Sequence, residues 1–140
     1  MNIKELTSRA ELSTIHPLIQ QRNSDLELPE FEALLDDMLP MGYRCIAAYD
    51  DGDTLVGVSG FWVKSQFYCR KSMRIDNFIV DEAHRGKGYG KAMLDWLHAE
   101  GKKLDCKQVV LDSLTSNVQS HRFYFREGFS IIGFHFAKDI

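Results

Sequence analysis

The stretch IDNFIVDEAHRGKGYGKAMLDWL, residues 75–97, changes pattern twice. Ile75, Phe78, Ile79 and Val80 form a short apolar run of strand composition. HRGKGYG, residues 84–90, then alternates Gly86, Gly88 and Gly90 with Lys87 and Tyr89, behind Arg85. Beyond it, Tyr89, Met93, Leu94, Leu97 and Leu104 lie on or near one face of an amphipathic helix. A strand that enters glycines and a helix that leaves them make an anion site. The helix start offers unpaired N–H groups and partial positive charge, and glycine lets the backbone come close to a ligand.

Two familiar nucleotide loops do not fit. A Walker loop needs GxxxxGK[ST], which Gly86 and Lys91 do not satisfy, and a dinucleotide fold needs GxGxxG near its first strand. Here the spacing is GxGxG, with three strand-like runs before it.

Those runs are YRCIAAYD (43–50), TLVGVSGFWV (54–63) and residues 72–80. DDGD joins the first two as a tight turn in which Asp-Gly supplies positive φ. The three read as an antiparallel meander. Upstream, NIKEL (2–6) is a short strand candidate. Thr7 or Ser8 then caps a helix, with Glu11 in capping-box position and Pro17 kinking or splitting it. A second helix begins near Pro29, sets the apolar Phe31, Leu34, Leu35, Met38 and Leu39 at helical spacing, and ends at Gly42. Downstream, QVVLDS (108–113) reads as a buried strand, 118–127 as a helix stopped by Gly128, and FSIIGFHFA (129–137) as the last strand. Strand, helix, strand in the middle implies a parallel crossover, so the fold class is a mixed α/β sheet in one domain, 1–140.

The composition, 44% hydrophobic and 26% charged over 140 residues, suits one globular core rather than disorder. A net charge of -3 argues against a dedicated nucleic-acid binder. No run suits a membrane span or a secretory signal, so a cytoplasmic protein is expected. Cys45, Cys69 and Cys106 are too few and too widely spaced for a disulfide framework or a zinc clip, and no metal is expected.

The hexamer RGKGYG (85–90) matches R/Q-x-x-G-x-G/A, and its strand–loop–helix context resembles motif A of the GNAT superfamily of acetyl-CoA-dependent N-acetyltransferases. NVQSHRFYFREGF (117–129) resembles the family's motif B, with Ser120 where alanine is common. The resemblance covers about 72 to 137 and implies the acyl-CoA N-acyltransferase fold: a mostly antiparallel sheet with a parallel central pair and flanking helices. It also implies acetyl-CoA as co-substrate and direct transfer of acetyl to a primary amine of a small molecule, protein or peptide.

Carried over residue by residue, the resemblance gives the pyrophosphate to the backbone of Arg85, Gly86, Lys87, Gly88, Tyr89, Gly90 and Lys91. It sets the pantetheine arm along Phe78, Ile79 and Val80, with a bulge opening the cleft there, and gives Asn117 a pantetheine or loop-ordering role. Asn117 could equally be a helix N-cap. Tyr124 would be the general acid, since a phenol near pKa 10 stays protonated at neutral pH and can donate to the leaving sulfur. His121, on the same helix, reads as a packing or hydrogen-bonding residue. Asp76 is the candidate base, acting through water, though it could instead pair with Arg74.

The acceptor site would come from residues 15–42 and the 64–72 connection. Asp25, Glu27, Glu30 and Glu32 would suit a cationic acceptor, or simply form a solvated helix start. Trp62, Phe67 and Tyr68 could line the cleft or fill the core. Two other readings compete: a non-catalytic acyl-CoA-binding module on the same fold, and an acetyltransferase acting on charged tRNA, which the acidic balance disfavours. Homodimers are common in the superfamily, and the apolar final strand could pair across an interface or along one buried edge.

Overall fold

The computed structural model describes residues 1–140. They divide into two compact units, Met1–Val110 and Leu111–Ile140.

The first unit opens with strand β1 (Asn2–Leu6) and the short helices α1 (Arg9–Ser13) and α2 (His16–Gln20). Pro17 sits in the first turn of α2, where its missing N–H costs no helical hydrogen bond, so it splits the segment as the sequence suggested. A capping box starts α1: Ser8 Oγ accepts from Glu11 N at 3.2 Å, and Glu11 Oε2 accepts from the N–H groups of Thr7 and Ser8. Helix α3 (Leu28–Met38) carries Pro29 in its first turn, and Gly42, with φ 94°, ends the 3-10 turn that follows.

Strands β2 (Arg44–Tyr49), β3 (Leu55–Gln66) and β4 (Arg70–Val80) make the expected antiparallel meander, with β1 paired to β2. The β2–β3 turn differs in detail. Positive φ falls on Asp53 (61°), not on Gly52, because Asp50 Oδ1 accepts from the N–H groups of both Gly52 and Thr54 and winds the turn around its own carboxylate. The β3–β4 hairpin also reaches further than expected. Most of residues 64–72 is strand rather than loop, and Phe67 and Tyr68 stand exposed at its tip.

Helix α4 (Tyr89–Lys103) crosses over to β5 (Gln108–Leu111), which lies parallel to β4 in a five-stranded sheet of order β1-β2-β3-β4-β5. One face of the sheet packs Cys45, Ala47, Val58, Trp62 and Ile79 against Leu12, Ile15, Leu18, Phe31 and Leu35 of the N-terminal helices. The other meets Met93, Leu94 and Leu97 of α4. Arg44 ties this side together. Its guanidinium bonds Glu5 twice at 2.7 Å and Glu100 at 2.8 Å, and lies 4.9 Å from the centre of the Phe61 ring. No helix is long and apolar enough to cross a membrane.

The second unit holds α5 (Val118–Arg126), stopped by Gly128 at φ 86°. The strand expected over 129–137 is not formed. Residues 129–140 have no regular structure, and Ile131, Ile132, Phe134 and Phe136 are exposed. Alternating apolar residues give a segment the capacity for a strand, but only a hydrogen-bonding neighbour makes it one.

The hydrogen bonds from Thr7 and Ser8 hold the Glu11 carboxyl at about 2, against an ordinary 4.5. Because the folded value is depressed, its stabilisation is present above the ordinary carboxylate range and is lost as pH falls toward 2. Glu11→Gln should therefore melt below wild type at pH 7, and the gap should close progressively below about pH 4. Thermal melts across that range check it.

Candidate active site

The site is built around a fault in the sheet. In the β3–β4 ladder Gly60 pairs with Asn77 but Phe61 pairs with Ile75, so Asp76 is the extra residue of a β-bulge. Trp62 pairs with Arg74, which sets both on one face, and alternation along β4 gives Asp76 that face too. The pairing of Asn77 with Gly60 gives Asn77 the same face. Two consecutive side chains, Asp76 and Asn77, thus point toward the side where the N-terminal helices pack.

A latch fixes this bulge. Tyr43 Oη donates to Asn77 Oδ1 at 2.7 Å, and both groups fill the space above Gly60, where a Cβ would overlap them. The Tyr43 ring meets Trp62 edge-on at 5.3 Å. Burial pushes the Tyr43 phenol well above its ordinary value, with smaller contributions from Cys45 and the Asp76 charge. Burial likewise pushes the Cys45 thiol up to about 12. Both stay neutral at pH 7, and Asn77 Nδ2 is buried with no hydrogen-bond partner. The Asp76 carboxylate itself is exposed.

Beyond the bulge, Phe78, Ile79 and Val80 continue β4. Strand β5 approaches where Lys107 N donates to Lys71 O at 2.7 Å. At four residues it is too short to accompany β4 past Asp76. Phe78, Ile79 and Val80 pair with Ser59, Val58 and Gly57 of β3.

Asp81 closes the strand with its N–H donating to Val56 O at 2.8 Å. Its carboxylate lies 2.5 Å from His84 Nδ1 and accepts from Gln21 Nε2 at 2.8 Å. Those two bonds, His84 first, hold the Asp81 carboxyl below its usual range. The approach to the glycines is thus pinned to the end of α2.

Gly86 and Gly88 then take positive φ, 77° and 88°, with nothing within 4 Å of where a Cβ would stand. Gly88 is the N-cap of α4 and supplies no side-chain cap. The first N–H groups of the helix and an open cradle over two glycines suit a bound pyrophosphate. Arg85 flanks the loop, with Nε donating to Val80 O at 3.3 Å and a guanidinium contact to Glu82 at 3.2 Å. Lys91 pairs with Asp95.

Of the residues singled out in the sequence, Asp76, Phe78–Val80 and Arg85–Lys91 belong to the first unit. Asn117 and Tyr124 belong to the second. There Asn117 is the N-cap of α5, its Oδ1 accepting from Ser120 N at 3.4 Å. Tyr124 packs its ring against Phe123 and Phe129, at 5.5 and 5.7 Å. His121 Nε2 lies 2.9 Å from Leu114 O, a hydrogen-bonding role as expected. Cys45 and Cys69 are buried and all three cysteines are unbridged. Sequence reasoning missed the Tyr43–Asn77 latch and the His84–Asp81–Gln21 pin. Gly60 inside a strand was the one local signal for the first.

The model of the Acetyltransferase (GNAT) family matches residues 11–129. The chain belongs to this family. The GNAT enzyme is 31% identical over 140 residues to the spermine/spermidine N(1)-acetyltransferase of Bacillus subtilis, covering 95% of this chain and 90% of that one. It is 26% identical over 88 residues to glucosamine 6-phosphate N-acetyltransferase of Arabidopsis thaliana, covering 61% and 57% of the two chains. Its fold superposes on the crystal structure of ribosomal-protein-alanine N-acetyltransferase from Brucella melitensis with TM-score 0.83 over 100% of both chains, at 20% identity. The protein is thus an acyltransferase of mixed-sheet GNAT architecture, and acetyl-CoA is the co-substrate its family implies.

Gly60→Ala should destabilise the fold by about 2 kcal/mol, the cost of overpacking a closed site, because neither Tyr43 nor Asn77 can withdraw without opening the bulge. Urea denaturation beside Gly133→Ala, at an exposed position with open space around it, measures the difference.

Proposed function

We propose that the enzyme transfers acetyl from acetyl-CoA directly to a primary amine, with the bulge residue Asp76 as base and Tyr124 as acid. The observation that carries this reading is the bulge. It turns the Asp76 carboxylate onto the face that carries Asn77 and Trp62, at the one irregularity of the β3–β4 ladder.

In this reading the loop from Arg85 to Lys91 holds the pyrophosphate through backbone N–H groups, and Phe78–Val80 align the pantetheine arm. A backbone N–H beside the bulge donates to the thioester oxygen as negative charge develops there. An amine near pKa 10.4 arrives as ammonium, and Asp76 draws off one proton through water. The freed lone pair attacks, so a C–N bond forms as the C–S bond breaks. Tyr124 gives its proton to the departing sulfur and is reprotonated by the second proton the nitrogen sheds. Asn117 caps α5 and orders the segment that carries Tyr124.

Asp76→Asn should lower kcat/KM for amine by about 10²–10³-fold near neutral pH, with acetyl-CoA affinity by calorimetry little changed. Tyr124→Phe should lower kcat on a similar scale. Rapid-quench measurement of the chemical step checks both. An unchanged chemical step in either variant removes that residue from its role.

A further inference from the structure

A histidine stands between two carboxylates at the entrance to the glycine loop. His84 ends the 3-10 turn Glu82–His84, shortly before Gly86. Its Nδ1 lies 2.5 Å from Asp81 Oδ2 at the end of β4, and its Nε2 lies 3.9 Å from Asp50 Oδ2 in the β2–β3 turn. Each carboxylate gives its other oxygen to the frame. Asp81 Oδ1 accepts from Gln21 Nε2 at the end of α2, and Asp50 Oδ1 accepts from the N–H groups of Gly52 and Thr54. From α4, the ring of its first residue, Tyr89, meets the imidazole edge-on at 6.3 Å. On the histidine's own turn, Glu82 is engaged by Arg85 at 3.2 Å.

The two charge states of the ring act differently here. One proton on Nδ1 satisfies the contact with Asp81 and leaves a lone pair on Nε2 facing the Asp50 carboxylate. A second proton, on Nε2, turns that repulsion into attraction. Both carboxyls stay ionised. His84 and then Gln21 hold Asp81 below its usual range, and the bonds from Thr54 and then Gly52 do the same for Asp50. The side chains are 24% exposed at His84, 22% at Asp81 and 26% at Asp50, so solvent screens the set in part. With a neutral ring, two uncompensated carboxylates stand at the loop entrance. With an imidazolium, one of their charges is cancelled. A pyrophosphate on the adjoining loop responds to that difference, since its charge attracts the imidazolium and repels the carboxylates.

We infer that His84 is a positioning residue for the co-substrate: as the imidazolium it ties the loop entrance to the β2–β3 turn and favours the pyrophosphate, so that acetyl-CoA binding and protonation of His84 reinforce each other. The proton comes from solvent and returns to it when the ligand leaves. This rests on the reading that the Arg85–Lys91 loop takes the pyrophosphate of acetyl-CoA. Histidine changes charge between about pH 5 and 8. Affinity should therefore be greatest at the acid end of that range and fall as pH rises.

Titration calorimetry with acetyl-3′-dephospho-CoA, from about pH 6 to about pH 8, tests the linkage. This probe keeps the pyrophosphate and lacks the phosphate monoester, which itself titrates in that range. Wild-type Kd should rise by about three- to tenfold across the range, the scale of one charge acting over a partly screened distance. Binding in buffers of different ionisation enthalpy should show net proton uptake. His84→Asn keeps a donor where Nδ1 stands but takes no proton, so its Kd should be flat in pH and its binding free of proton uptake. Asp50→Asn keeps an acceptor for Gly52 and Thr54 and removes the second carboxylate, which should move the pH dependence to lower pH. A wild-type Kd that does not change with pH, without proton uptake, overturns the inference while leaving acetyl-CoA binding intact. So does a slope that His84→Asn retains, or a His84→Asn variant weakened by the same factor at every pH. Absence of saturable binding at any pH overturns the loop reading, and this inference with it.

Discussion

A hydrogen bond from Tyr43 to Asn77, closed over a glycine, shapes the working part of this acetyltransferase. The bond joins two neutral groups in a buried place where the phenol cannot ionise, so it does not loosen with pH over the physiological range. Gly60 makes it possible by leaving out a Cβ. With Asn77 anchored, the ladder must carry one extra residue, and that residue is Asp76. The latch leaves the Asn77 Nδ2 donor buried without a partner, as is Ser59 Oγ on the neighbouring strand.

The bulge divides β4 into two territories. Before it, β3 and β5 flank the strand, and Lys64 lies over the edge of the core at Trp62. After it, β5 has ended and the strand runs to Asp81, where His84 and Gln21 set the approach to the glycine loop. An acid side chain at the junction faces both. Strand, loop and α4 form one continuous path, because the residue that ends the ladder also begins the pin that positions Gly86 and Gly88.

The legibility of these parts in the sequence followed from how local each one is. The loop and its helix could be read directly, since GxGxG and the spacing of Met93, Leu94 and Leu97 are properties of a single segment. So could the capping box at Ser8 and Glu11 and the stop at Gly42. The bulge could not, because it depends on which residues of β3 face which of β4, and Gly60 alone does not say so. FSIIGFHFA shows the converse. Its composition is that of a strand, yet strand formation needs a neighbour that composition does not name. In DDGD the glycine drew attention, whereas the Asp50 carboxylate set the turn.

The central claim is that the second half of β4 and the glycine loop together receive acetyl-CoA. Backbone amide NMR during an acetyl-CoA titration tests it most directly. Saturable shifts should concentrate at Phe78–Val80 and Gly86–Lys91, with Tyr43 and the amides of β1 and β2 little moved. Saturable binding that shifts another surface and leaves those two segments still would contradict the account.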